Sequence, residues 1–412
     1  MLRGFRNPGY LGPEGLTRTW LQREAAALRT LQATPVKVPR YYGYLDGYDW
    51  LLMEWVQGDE LLTEVADAGR RASLFDEYLD NVATLHQLDL DALDIDTELM
   101  PTPSPEMMLR GSATMATRAY RGATPGGAEP LLELGIWWVE HHVPAATRAV
   151  AFCGGDVGPN QFIFDAAGVK SMFDLELAHL GDPYEDLGLM RMREMCYPIG
   201  GLPEHLHRYA ARMGEPLDME ALRYWTVVGM ITGPLVCWER VTHPDPHLPD
   251  QIPLFSWDPI YRRGLAEALM EVYDVAPEPP QLPGPGGTDR TKLHQLLVGQ
   301  MHEYYEPTLT EPEQQFRIRG TAALTETLAR GDAVGPALER DNLDELGELL
   351  GATADDLPAG LARLEADVRA DPERDLERRL RFFHRMQVRH EYLYEPIQRS
   401  MGFASNSPLT RM

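Results

Sequence analysis

The sequence predicts an α+β chain, in which short paired strands and helices are followed by a bundle of helices. Three observations predict it. Two hairpin-like patterns punctuate the first 180 residues, one around Asp46-Gly47 and one around Asp165–Gly168. Apolar residues at helical spacing fill most of the rest. The stretch APEPPQLPGPGGTDR, Ala276 to Arg290, is too dense in Pro and Gly to continue a helix or a central strand, and reads as a linker between a mixed segment and a helical one.

The elements follow in order. NPGYLGPEG (Asn7–Gly15) is a Gly/Pro-rich loop, and TRTWLQREAAALRTLQ is a helix rich in Ala, Leu and Arg. Tyr42–Leu45 and Trp50–Trp55 are strand-like and flank the turn dipeptide Asp46-Gly47. SLFDEYLDNVATLHQL carries apolar residues at 74, 75, 78, 82, 85 and 88, a helical stripe. A region broken by Pro101, Pro103 and Pro105 leads to the helix-like ELGIWWVEHH. QFIF (161–164) and KSMFDLE (170–176) form a second strand pair joined by DAAG, and 187–275 read mainly as helices.

Beyond the linker, TKLHQLLVGQMHEYY places Leu293, Leu296, Leu297 and Met301 on one face. Further amphipathic stripes lie around 313–330, 342–350, 358–369 and 375–395, with Asp371-Pro372 as a helix start. Antiparallel helices joined by short loops make a bundle. Nothing in 291–412 has catalytic spacing, so its expected role is structural or docking, toward a protein partner or a second copy.

Composition narrows the function. The 412 residues hold 38 Lys+Arg against 63 Asp+Glu, a net charge of −25. That argues against nucleic-acid binding, which depends on neutralising phosphates. It suits a cationic substrate or plain solubility. No uninterrupted apolar run reaches the ~20 residues a membrane span requires. No apolar segment follows the early arginines, as a signal peptide requires. The cysteines, Cys153, Cys196 and Cys237, are few, distant and odd in number, which suits a reducing cytoplasm and neither a disulfide framework nor a zinc site.

The densest chemical signal is CGGDVGPNQFIFDAAGVKSMFDLELAHLGDPYEDLG, Cys153–Gly188. Asp156 precedes the first strand of the pair and Asp174 ends the second, so a hairpin brings the two toward one site. Phosphoryl transfer uses such a set. One carboxylate takes the proton of the attacking hydroxyl, while a second carboxylate and an amide oxygen hold Mg²⁺ against nucleotide phosphates.

This segment resembles the aminoglycoside phosphotransferase family, relatives of choline kinases and protein kinases. The resemblance rests on Gly154-Gly155-Asp156, Phe173-Asp174-Leu175-Glu176 and Gly181-Asp182-Pro183-Tyr184-Glu185-Asp186-Leu187. REAAAL, PRYYGY, LLMEWVQG and ATLHQLD stand before them in the family's order, and ALRYW (Ala221–Trp225) looks closest to the branch associated with acyl-CoA dehydrogenases. The resemblance implies a protein kinase-like fold with a truncated N-lobe and a mainly helical C-lobe, followed by the helical bundle. Residues 1–57 would be the partial N-lobe and hinge, 58–275 the C-lobe with catalytic loop and acceptor pocket, 276–290 the linker and 291–412 the bundle. It implies ATP and Mg²⁺, and a small-molecule hydroxyl as acceptor, aminoglycoside-like or a metabolic alcohol or hydroxyacyl compound.

Roles follow position by position. The resemblance makes Asp156 the catalytic base and Asp174 a Mg²⁺ ligand. Glu24 pairs with the phosphate-binding cation. Glu54 to Val56 form the hinge that offers backbone groups to adenine. Asp182 and Asp186 support the loops. Three departures stand out. The family's His before Gly-Asp is Gly154. The metal-binding amide is Gln161, with Asn160 as the alternative one residue earlier. The two strands and phosphate-covering loop expected before the cationic strand are missing, since only 23 residues precede Glu24. Leu2–Phe5 then matches the end of that strand, with Arg3 where Lys often stands; the two cations are not equivalent in geometry. Gly9, Gly12 and Gly15 read as a plain loop. These departures keep open an alternative, a catalytically impaired kinase-fold binding or regulatory protein.

Other groups read as structural. Glu140-His141-His142 point in different directions on a helix. His243 and His247 have no third ligand nearby. His86 reads as a buried hydrogen-bonder, Cys153 as a packed thiol and the tryptophans mostly as core.

Overall fold

The computed structural model describes residues 1–4, 14–111, 113–122, 128–144, 148–247, 251–284, 286–404 and 407–412. In chain order the elements are β1 (Leu2–Gly4), α1 (Glu14–Leu31), β2 (Tyr41–Leu45), β3 (Trp50–Met53), α2 (Ala68–His86), α3 (Pro105–Arg110), α4 (Ala113–Gly122) and α5 (Pro130–His141). Then come β4 (Ala151–Cys153), β5 (Phe162–Asp165), β6 (Gly168–Met172), β7 (His179–Gly181), α6 (Pro183–Cys196), α7 (Leu202–Met213), α8 (Met219–Thr242) and α9 (Leu254–Val272). The chain ends with α10 (Thr291–Gln300), α11 (Pro312–Leu350), α12 (Leu357–Ala370) and α13 (Leu376–Ser400). Few short strands among many helices match the α+β, kinase-like expectation. No helix among the described residues is long and apolar enough to cross a membrane. Gly9 and Gly12 of the expected loop lie outside the described residues, and Gly15 falls in the first turn of α1.

The chain folds as two compact units. Met1–Met115, His142–Gly229 and Leu409–Met412 form the first, and Ala116–His141 with Met230–Pro408 form the second. Residues 230–275 and 116–141 therefore group with the C-terminal helices, although the expected linker follows them in sequence. The cause is visible in α5, where Leu131, Leu132, Leu134, Ile136, Trp138 and Val139 are all buried. A helix apolar on most sides needs several neighbours, and α5 packs on α9 and α12.

In the first unit, β1, β3 and β2 form an antiparallel sheet in that order, with Arg3 opposite Leu51. Leu51 and Met53 are buried, and α1 buries Leu21, Ala25 and Leu28. Glu24 lies on the same stripe, one turn from Leu21 and Leu28, which aims it inward. The second strand pair forms as expected, β5 antiparallel to β6, with Phe162 opposite Met172. Phe162 stacks on Tyr78 of α2, ring centroids 4.4 Å apart. β4 pairs with β7 and sets the two ends of the Cys153–Gly181 segment side by side.

The second unit departs from expectation twice. The stripes at 313–330 and 342–350 are one 39-residue helix, α11, that runs through Pro336. α13 holds it on both sides of the proline: Arg330 donates to Tyr392 O and pairs with Glu395, and Asn342 accepts from Arg389. Asp371-Pro372 does not start a helix. Asp371 instead caps the end of α12, and α13 begins at Leu376.

Candidate active site

The loop Gly154–Gln161 joins β4 to β5. A side chain at Gly155 (φ +81°) would place its Cβ 2.1 Å from Leu177 O, so only glycine lets the loop pass that backbone. Asp186, on α6, holds the loop from below. Its Oδ2 accepts the Gly154 amide at 2.7 Å and its Oδ1 the Gly155 amide at 2.9 Å. His86 Nε2 lies 3.0 Å from Oδ2, and His86 Nδ1 lies 2.7 Å from Tyr209 Oη. Burial pushes the Asp186 carboxyl up, but the hydrogen bond and charge of His86 outweigh it and hold the group below its usual range. Asp182 caps α6 by accepting the Tyr184 amide at 2.9 Å, and Arg148 reaches it at 3.3 Å. Burial raises Asp182 despite those two donors. Cys153 is a packed thiol that donates to Asp182 O. His86, Cys153 and Asp186 lie close enough to suggest a metal cluster, but their hydrogen bonds make them a brace under the loop.

Above this brace sits Asp156. Arg193 Nη1 donates to both of its oxygens, at 2.9 and 3.0 Å, and Gln161 Nε2 donates to Oδ2. Burial raises the Asp156 carboxyl; Arg193 opposes that shift and the charge of Asp174 adds to it. Asp174 is thus near enough for its charge to act on Asp156. Asn160, the alternative amide, is buried and occupied: its Oδ1 accepts the Leu62 amide at 3.2 Å. It sits at φ +64°, a conformation that Asn tolerates better than most residues.

Asp174 follows β6, also in the left-handed region at φ +64°. Its Oδ1 accepts from Arg3 Nη2 at 2.6 Å. Arg3 also donates to Glu24 Oε1 and Glu176 Oε2, each at 2.7 Å. Burial works against the Arg3 charge, and Glu24, Asp174 and Glu176 together overcome it.

Beside this hub opens a cleft of about 750 Å³, within the ~300–1,000 Å³ usual for small-molecule sites. Arg3, Glu54, Val56 and Phe173, the neighbour of Asp174, are among its lining residues. The Glu54 amide is already spent on Arg40 O at 2.9 Å, and Glu54 Oε2 accepts the Arg40 amide at 3.1 Å.

The structure thus gathers Arg3, Glu24 and Asp174 in one cluster and Asp156 with Gln161 in another. It turns Asn160 away, and it sets Asp182 and Asp186 beneath the loop. Sequence reasoning missed Arg193 and gave Glu176 no role. Arg193 had a signal. It lies seven residues, two helical turns, after Asp186, so it shares the face that already braces the loop.

A family model described as the phosphotransferase enzyme family matches residues 13–225. A Ralstonia eutropha JMP134 protein assigned as an aminoglycoside phosphotransferase has a similar fold, at 18% identity and TM-score 0.50, covering 62% of this chain and 83% of that one. The aminoglycoside phosphotransferase APH(3'')-Id of Streptomyces rimosus ATCC10970, solved with ADP and streptomycin, is 20% identical with TM-score 0.39, covering 53% and 84%. The macrolide 2'-phosphotransferase MphH of Brachybacterium faecium is 20% identical with TM-score 0.42, covering 58% and 78%. No curated protein matches the sequence. The family match spans more than half of the chain and includes the Gly154–Gln161 loop, Asp174 and the brace below them, so this chain belongs to the phosphotransferase enzyme family.

Proposed function

We propose that this protein transfers the γ-phosphoryl group of ATP, with Mg²⁺, to a hydroxyl of a small molecule. The observation that carries the proposal is Asp156. It is a carboxylate held by Arg193 and Gln161 on a loop pinned by Asp186, within reach of the charge of Asp174. In this reading Asp156 orients the acceptor hydroxyl and takes its proton as the oxygen attacks the γ-phosphorus. The bond to the β-phosphate breaks and ADP leaves. Burial raises the Asp156 carboxyl and so favours proton uptake there, and Arg193 opposes that shift.

The donor set fits Mg²⁺. Asp174 offers a carboxylate, and Gln161, with Nε2 committed to Asp156, offers the amide oxygen Oε1; both are hard oxygen ligands. We assign the amide role to Gln161 rather than Asn160, because Asn160 Oδ1 already holds Leu62. When bound, the ion neutralises charge on the nucleotide phosphates. The cleft would take adenine against the hinge at Glu54–Val56, and Arg3, steadied by Glu24, would face the phosphates. The acceptor would be a polyhydroxylated amine such as an aminoglycoside, or a metabolic alcohol or hydroxyacyl compound, in a cytoplasmic setting.

The test is a thermal-shift titration with Mg²⁺-ATP and Mg²⁺-GTP, followed by a phosphate-transfer screen over aminoglycosides and hydroxyl metabolites. Nucleotide stabilisation and transfer that Asp156→Asn abolishes support the reading. No shift with either nucleotide and no transfer would sink it. A shift without transfer to any acceptor or to water would favour a nucleotide-binding protein without turnover. The observation on that side is that both acidic residues are paired with arginines, Asp156 with Arg193 and Asp174 with Arg3.

A further inference from the structure

The helical hairpin of α10 and α11 leaves a face uncovered. α10 buries none of its ten residues. Thr291, His294 and Val298 are half-buried on its inner side, toward α11. On the outer side Leu293, Leu296 and Leu297 are 66%, 60% and 46% exposed. The register between the two helices is fixed at both ends, by Arg290–Asp332 (3.3 Å) and by Glu306–Arg319 (3.2 Å). Antiparallel counting from those pairs sets Leu328, itself 57% exposed, level with Leu296. A contiguous row of exposed leucines across two helices is uncommon on a chain that works alone.

We propose that this face docks onto the same face of a second copy of the chain, antiparallel about a two-fold axis. Two hairpins joined along their apolar seams complete a four-helix bundle, the arrangement that covers such a stripe. Charge selects this occupant. Each chain carries −25, so two copies repel at distance, and they meet only where the local charge balances. Exposed Lys292 stands at one end of the leucine row and exposed Glu303 at the other. Antiparallel docking sets Lys292 near Glu303 of the second copy at both ends. Parallel docking would oppose like charges.

Sedimentation equilibrium on the full chain tests this. The wild type is expected to dimerise reversibly, and Leu293→Glu/Leu297→Glu to weaken dimerisation by about tenfold or more. Lys292→Glu alone and Glu303→Lys alone each weaken it, and the double reversal restores it. All four positions are exposed, so melting temperature should hold; if the leucine variant misfolds, the charge-reversal set decides. A wild type that stays monomeric at about 100 µM, weaker than ~5 kcal/mol of association, overturns the proposal and leaves the face to another partner. So does a dimer indifferent to the leucine changes. A dimer that the double reversal does not restore overturns the antiparallel arrangement.

Discussion

Both units of this chain bury charge, and they do so for different ends. In the first, buried or half-buried Asp186, Asp182, Arg193, Arg3 and Glu24 converge on two short loops, and the chain around them is glycine-rich and barely regular. In the second, Arg262 pairs with Asp258 and Glu129, and Arg263 with Glu267 and Glu391, tying long helices together. A buried ion pair between rigid helices mainly fixes their register. A buried carboxylate that holds loop amides fixes the position of a reacting group. The same interaction thus builds a scaffold in one unit and a site in the other.

The largest expected effect separates the two. Asp156→Asn keeps the shape of the side chain and removes its basicity, so phosphoryl transfer to the best acceptor should fall about 100- to 10,000-fold. The melting temperature should barely change. Glu391→Gln in the second unit should do the reverse. Glu391 is fully buried, and neutralising it leaves Glu267 as the remaining carboxylate on Arg263, beside the Ser407 carbonyl, at a cost of about 3 kcal/mol. That corresponds to roughly 6–12 °C in apparent Tm, with turnover per folded molecule preserved. If Glu391→Gln abolished turnover in folded protein, the division between scaffold and site would be mistaken.

A smaller effect tests Arg193. Its guanidinium holds Asp156 and also reaches Pro159 O at 3.3 Å, while its stem lies against Gly158, where a Cβ would come within 3.0 Å. Arg193→Met should lower kcat about 10- to 100-fold by letting the carboxylate drift. Stabilisation by Mg²⁺-ATP should persist, because the cleft is lined by other residues. Arg193→Lys should recover part of kcat. Equal kcat for wild type and Arg193→Met would remove Arg193 from any positioning role.

The contrast also explains what the sequence revealed. The strands around Asp156 and Asp174 were legible because strand, turn and strand lie within about twenty residues and carry their own turn signals. The helices were legible from apolar spacing. Arg193 was hidden because its role depends on which face α6 presents to the loop. The unity of α11 was hidden because Gly331, Gly335 and Pro336 are local breakers, and the restraint comes from Arg330 and Asn342 reaching α13, more than forty residues away. The grouping of α5 with the C-terminal helices was hidden for the same reason. Periodicity describes one helix and is silent about its neighbours.

The smallest effect is a pair of opposite pH dependences. His179, in the first unit, donates through Nδ1 to Leu177 O at 3.0 Å and through Nε2 to Glu185 at 3.1 Å. Burial opposes its charge, but Glu185 prevails and its pKa is raised from 6.5 to about 9. Its contribution to stability is therefore complete below pH 6.5 and lost as pH rises through about 9. His390, in the second unit, is lowered from 6.5 to about 4 by burial and by the charge of Arg262. Its contribution is complete above pH 6.5 and lost as pH falls toward about 4. The Tm gap between wild type and His179→Gln should close between pH 7 and 10, and that between wild type and His390→Gln between pH 6.5 and 4. Both gaps closing on the same side of neutrality would contradict one assignment. Both staying constant would show that neither histidine changes its proton affinity on folding, and would remove the titration contrast between the two units.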